Sequence, residues 1–370
     1  MNGQAGIVWL RFFLALAVMV LSMPATTRAA DTQPQVASSV EAVEWLQRLS
    51  PAMNTTSYRG VFVYGRNQQV HSMQVAHRYN GSMVEERLVI QDGGSGEIVR
   101  RGTEVICVLP AQDTVTLDAI IPSGSLADSF NDQPLPAPRW YQAQMLGEGR
   151  VAGYAVVKIA LNAHDPYRYS YRLWLEKDTG LLVKSQTRNA DDQILEHFQF
   201  TSLDITDDIV DSELQISTTD KSKTHTMSLE PSNSVTELVT RLQGWSLGWL
   251  PAGFEPAATP RSDKRQVIAF SDGFAAFSVF VEDAVSLDMP TGASRIGATT
   301  VYLRPVQSDG RQVLISVVGE VPPITARKVA ESVRFASAAV DSTTIDSASV
   351  DSANVDSATA SLVEHQGASR

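Results

Sequence analysis

From residue 57 to residue 200 the chain repeats one pattern: short runs rich in Val, Ile, Tyr, Phe and Thr, with apolar and polar side chains alternating and Gly, Asn or Asp between runs. Alternation with period two suits a half-buried strand and does not suit a helix. It predicts strands over 58–64, 70–77, 83–90, 97–101, 105–109 and 113–117. After a proline-rich insert at 121–138, strands resume over 140–147, 151–161, 167–176, 181–188 and 194–201. Short polar links, such as 177–180 and the hairpin at Asn67 and Gln68, make the series an antiparallel meander. Ahead of it, Ser38 or Ser39 caps a helix with Val40, Val43, Leu46 and Leu49 at spacing three, whose partner is the sheet.

A length of 370 residues exceeds one ordinary domain. Residues 1–29 read as an export signal, with Arg11 ahead of an apolar run, a break at Pro24, and small residues Thr27 and Ala29 before the cut. The apolar run is shorter than the ~20 residues a membrane span needs, so the mature chain is expected outside the cytoplasm, reached through a cleaved leader. The first domain covers 38–203, and an acidic then Ser/Thr/Lys-rich stretch at 204–224 marks a linker. A second, α+β domain covers 225–336, with strands over 266–270, 275–281, 298–305 and 312–319 and a closing helix at 325–333 after Pro322 and Pro323. The tail, 337–370, repeats Val340-Asp341-Ser342 and its kin with too little apolar surface to offset ordering, and is expected to be disordered.

Composition removes several functions. The net charge is −11 and falls by two more without the leader, whose only charges are Arg11 and Arg28. Nucleic-acid binding needs clustered cations, so no nucleic-acid partner is expected. One cysteine, Cys107, cannot form an internal disulfide or a thiolate zinc site. The six histidines show no HExxH spacing, and no nucleophile elbow, Walker loop or dinucleotide fingerprint is present. Neighbouring acids such as Glu85 and Glu86 point to opposite faces of a strand and cannot flank one bond. Neither an enzyme nor a cofactor or metal is expected.

Several segments, in order, resemble the RseB/MucB family of periplasmic regulators of the envelope-stress sigma-factor pathway. They are Tyr58-Arg59-Gly60, Ile98 to Glu104, Arg168-Tyr169-Ser170-Tyr171-Arg172-Leu173-Trp174, Trp249 to Phe254, Phe270-Ser271-Asp272-Gly273-Phe274 and Val318 to Pro323. The resemblance implies a large N-terminal domain like the lipoprotein carriers LolA and LolB, an open, curved antiparallel half-barrel with helices, plus the smaller α+β domain. It also implies a function: the protein binds the periplasmic region of a membrane anti-sigma factor (RseA/MucA-like), shields it from regulated proteolysis, and is released by lipid or lipopolysaccharide acyl chains. The alternative is a lipoprotein or lipid carrier of LolA type; a homodimer is a further partner expectation. On the regulator reading, Tyr169, Tyr171, Leu173, Val61 and Val63 are candidates to line the lipid cleft, with ordinary core the competing use. Arg100 and Arg101 are candidates to meet lipid phosphate or partner acids, at most one of them on a given face. Trp249, Leu250, Phe254, Phe274 and Phe277 are candidates for a partner-facing aromatic patch, again against core packing.

Overall fold

The computed structural model describes residues 32–92, 96–109, 137–217, 223–228, 245–257, 266–283, 291–308 and 310–335. The leader, the strand expected at 113–117, most of the 121–138 insert and the repeat tail lie outside the described residues.

The larger lobe is one antiparallel sheet. Its strands are β1 (Tyr58–Arg66), β2 (Gln69–Tyr79), β3 (Val84–Ile90), β4 (Glu97–Arg101), β5 (Glu104–Leu109), β6 (Tyr141–Val151), β7 (Tyr154–Ala163), β8 (Ser170–Glu176), β9 (Leu182–Arg188), β10 (Ile194–Ile205) and β11 (Lys223–Ser228). They stand in the order β11-β5-β4-β3-β2-β1-β10-β9-β8-β7-β6. The expected meander is therefore two meanders joined where β1 pairs with β10, Tyr58 opposite Ile205 and Arg66 opposite Glu196. The outer strands β11 and β6 are not paired with each other, so the sheet is open. Two-residue hairpins need positive φ. Asn67 (φ 56) supplies it between β1 and β2, and Ala152 (φ 46) with Gly153 (φ 91) between β6 and β7.

Helix α1 (Thr32–Thr55) lies on one face of this sheet. It starts earlier than the expected cap, and its buried stripe is Ala42, Leu46 and Leu49 rather than one beginning at Val40, which is exposed. Spacings of four and three put those residues on one side. They bury against Tyr141 and Ala143 of β6, Val157, Ile159 and Leu161 of β7, Tyr171, Leu173 and Leu175 of β8 and Leu182 of β9. A single helical turn, α2 (Ala137–Trp140), leads into β6.

The stretch expected as a linker, 204–224, is not a free connector. It holds the end of β10, a 3-10 turn at Asp211–Leu214 and the first residues of β11. Three arginines on neighbouring strands fasten it. Arg59 pairs with Asp204 and Glu213, Arg78 pairs with Asp211 and donates to the Ile209 carbonyl, and Arg87 donates to Ser217. Solvated acids on paper thus become the partners of a basic row.

The smaller lobe is a six-stranded antiparallel sheet of β13 (Glu255–Ala257), β14 (Gln266–Ser271), β15 (Ala276–Asp283), β16 (Gly292–Ile296), β17 (Thr299–Ser308) and β18 (Arg311–Gly319), ordered β13-β14-β15-β18-β17-β16. Helix α3 (Pro323–Ser332) opens on a proline, whose missing N–H costs nothing in a first turn. Its Ala326, Val329 and Ala330 close the core over Phe277, Val279, Ile315 and Val317. A short pair, β12 (Trp245–Leu247) with β19 (Val333–Phe335), brings Trp245 to the same core. The fold is α+β: a large open sheet with helices and a smaller sheet with its own helix.

Candidate functional site

Directly opposed residues of neighbouring strands share a face, so the register traces the helix-covered face across the sheet. Leu173 stands opposite Ser185, Ser185 opposite Phe198 and Phe198 opposite Tyr64. Two residues along, Phe62 stands opposite Phe200 on one side and Met73 on the other, and Met73 opposite Ile90. The face therefore has two halves. Under α1 it is filled by the lobe's own side chains. Across β10, β1, β2 and β3 it presents Phe62, Phe198, Leu88 and Ile90, all half-buried around Met73 and Val75. The Phe62 and Phe198 rings lie 5.0 Å apart.

A polar group borders this apolar half. His77 stacks on Tyr58 at 4.8 Å and its Nδ1 lies 2.9 Å from Glu86 Oε2. Arg100 stands opposite Glu86 on β4. Burial pushes the Glu86 carboxyl up, but the His77 hydrogen bond and the charges of His77 and Arg100 outweigh it and hold the group below its ordinary value. Among the described residues no cluster of His, Cys, Asp and Glu could hold a metal ion, and no helix is long and apolar enough to cross a membrane.

The second feature is the seam between the lobes. Arg168, just ahead of β8, has a wholly buried side chain paired with Asp272 at 2.6 Å and Asp165 at 3.1 Å. Its Nη2 donates to the Ala252 carbonyl at 2.6 Å. Burial disfavours the guanidinium charge, yet Asp272 and Asp165 hold its pKa above the ordinary value. Asp272 sits in the β14–β15 turn and also accepts from Tyr141 O–H and from the N–H groups of Phe274 and Ala275. That turn drives Phe274 into the larger lobe's core, 5.4 Å from the Tyr141 ring and 5.7 Å from that of Tyr171. Nearby, Gly253 has φ +88, and a Cβ there would lie 2.2 Å from the Trp140 ring nitrogen. Lys328 donates to the Tyr167 hydroxyl at 2.7 Å and lies over the Tyr167 and Trp249 rings. Tyr169 O–H donates to the Val321 carbonyl and Thr325 Oγ1 to that of Tyr167.

These positions sort the expected residues. Tyr171 and Leu173 lie in the filled core beneath α1, and Tyr169 packs at the seam with Leu195 and Ala298. Val61 and Val63 are half-buried on the face opposite Phe62, one residue out of phase with the apolar half, because side chains alternate along β1. Arg100 shares the face of Glu86, whereas Arg101 is exposed and opposite Glu85 on the other. Phe254 and Phe277 are buried in the smaller lobe's core, where Trp249 and Leu250 pack against them half-buried. Phe274 belongs to the larger lobe's core instead. The aromatic residues thus form cores and a seam rather than one surface patch. Phe62, Phe198, Leu88 and His77 were not singled out from sequence; the Phe62/Tyr64 and Phe198/Phe200 alternations were their available signal.

Family models of the MucB/RseB N-terminal domain and C-terminal domain match residues 41–218 and 239–334. The chain is 32% identical to the sigma factor AlgU regulatory protein MucB of Pseudomonas aeruginosa over 88% of this chain and 98% of that one. It is 28% identical to the sigma-E factor regulatory protein RseB of Escherichia coli K12 over 79% and 90%. A crystal structure of MucB in complex with MucA(peri) superposes with a TM-score of 0.63 and 30% identity, covering 80% of this chain and 98% of the other. The segments that make the seam, around Arg168, Gly253, Asp272 and Val321, are the ones on which the likeness was read, and the chain belongs to the MucB/RseB family of sigma-factor regulatory proteins.

Proposed function

We propose that this protein, exported by cleavage of its leader, binds the periplasmic region of a membrane-anchored anti-sigma factor of MucA/RseA type and shields it from regulated proteolysis. Lipid or lipopolysaccharide acyl chains entering the apolar half of the larger sheet release it. The observation that carries the reading is the likeness to MucB, solved with MucA(peri), along nearly the whole of that chain. The half-buried Phe62, Phe198, Leu88 and Ile90 supply an apolar lining for alkyl groups, and Arg100 opposite Glu86 supplies a cation at its border.

The test mixes the purified chain from residue 30 onward with the anti-sigma factor's periplasmic segment and the protease that first cuts it, with and without a lipid A-like amphiphile. Protection that the amphiphile relieves is the expected result; absence of protection rejects the reading. Because coupling between two ligands is reciprocal, the anti-sigma segment should weaken amphiphile binding by the same factor. A carrier of lipoproteins would bind the amphiphile and leave proteolysis untouched.

A further inference from the structure

The face of the larger sheet turned away from α1 is unevenly charged. On β1 to β3 it carries Arg59, Arg78 and Arg87, and each meets carboxylates: Asp204 and Glu213, Glu85 and Asp211, and Glu97. On β7 to β10 no such row of acids answers the cations. Lys158 stands opposite Trp174 and Trp174 opposite Lys184, whose ammonium lies 4.8 Å over the Trp174 ring. Two residues along, Arg172 stands opposite Gln186, and Arg188 follows Gln186 on the same side of β9. These two guanidiniums share one carboxylate, Asp192, at 3.5 and 2.9 Å, and the Arg188 Nε–H is buried without an acceptor. Among the described residues no carboxylate pairs with Lys158 or Lys184. Glu176, two residues beyond Trp174, is buried and committed to the N–H groups of Asp178 and Thr179. Four cations thus stand against one carboxylate in a chain of net charge −11. At the rim of the same face, Ile194 opposite Arg188 is 48% exposed and Val70 opposite Gly65 is 58% exposed.

We propose that this face of β7 to β10 is a docking surface for a bilayer containing anionic phospholipid. Charge complementarity carries the argument: on the neighbouring strands the fold meets its cations with its own acids, and here it leaves a surplus for a partner of opposite charge. The cations are spread over several strands rather than along one line, which suits a plane of headgroups better than a single acidic peptide. An indole ring flanked by two lysines belongs at headgroup level, where tryptophans gather. Ile194 and Val70 supply apolar side chains that gain by leaving water at the same boundary. The chain as a whole is repelled by an anionic surface, so attraction operates only when this face is turned to it. The opposite face, with α1 and the apolar half, is then directed away from the membrane. The inference concerns a face other than the one proposed for acyl chains, and stands whether or not the chain binds an anti-sigma factor.

The test floats the chain from residue 30 onward with vesicles of phosphatidylcholine alone and of phosphatidylcholine with about one third phosphatidylglycerol. Binding is expected to the second kind only, weakening by more than about tenfold as salt rises from about 0.05 M to about 0.5 M. Lys158→Gln with Lys184→Gln should weaken it roughly 25-fold, at about fivefold for each cation lost from the surface. Arg150→Gln with Arg311→Gln makes the same charge change at exposed sites elsewhere and should alter binding by less than about threefold. No binding to anionic vesicles, or equal loss in both double variants, overturns the proposal. Equal binding to both kinds of vesicle also overturns it, being what acyl-chain entry alone would give. So does capture of the chain by a polyglutamate peptide and not by vesicles, which would assign the face to an acidic protein segment. Should the lysine variant fail to fold, the unsubstituted chain decides. Shielding of Lys158 and Lys184 from an amine-acylating reagent by anionic vesicles sustains the surface, and undiminished labelling overturns it.

Discussion

Asp272 receives four donors within 2.9 Å, and one of them is a guanidinium with no access to water. Its removal leaves Arg168 charged and buried with Asp165 as its remaining carboxylate partner, a situation that costs roughly 3–5 kcal/mol. Asp272→Ala is therefore expected to lower the unfolding free energy by that order, read by chemical denaturation. Gly253→Ala is expected to cost about 1–3 kcal/mol, because its positive φ and the Trp140 ring both oppose a Cβ. A third expectation separates the two faces of β1. Phe62→Ala should weaken binding of an alkyl-chain amphiphile several-fold while Val63→Ala leaves it within error, measured by calorimetry. Equal effects would place the ligand elsewhere.

At the scale of elements, the β8–β9 turn hangs on one carboxylate. Glu176 accepts from the N–H groups of Asp178 and Thr179 and from Thr179 Oγ1. Burial pushes its pKa up, but those three donors and the Arg48 charge hold it below the ordinary value. A depressed carboxyl contributes stability above its unfolded value, about 4.3, and loses it as pH falls through the native one. Glu176→Gln should thus flatten the acid side of a stability-against-pH curve below about pH 5, and Glu176→Ala should cost about 1–3 kcal/mol at neutral pH. The strands around this turn were legible from alternation alone, because period two records which side is buried. What faces that buried side was not. Tyr171 and Leu173 read from sequence as cleft candidates with ordinary core the favoured use, and α1 lying across β6 to β9 puts them in core. Arg59, Arg78 and Arg87 could not be assigned to the 204–217 segment, since strand order and register, set by packing across the whole lobe, bring them to it. The Phe-Ser-Asp-Gly-Phe segment reads locally as a turn, yet its Asp and second Phe serve the other lobe.

For the whole molecule, the seam joins distant parts of the chain through several different kinds of contact. Its parts differ in kind: a buried ion pair, an inserted aromatic ring and two glycines under close contact. Together they fix one orientation of the lobes. Pairing of β1 with β10 adds a different constraint, because the strand made first lies beside one made about 140 residues later, Tyr58 against Ile205. Contacts so far apart along the chain require an expensive closure before they repay it, and chains built this way fold slowly. The middle of the large sheet cannot zip until β10 has emerged. On the export proposed above, the two halves of the large sheet join only after β10 has followed them, so the lobe closes late rather than during passage.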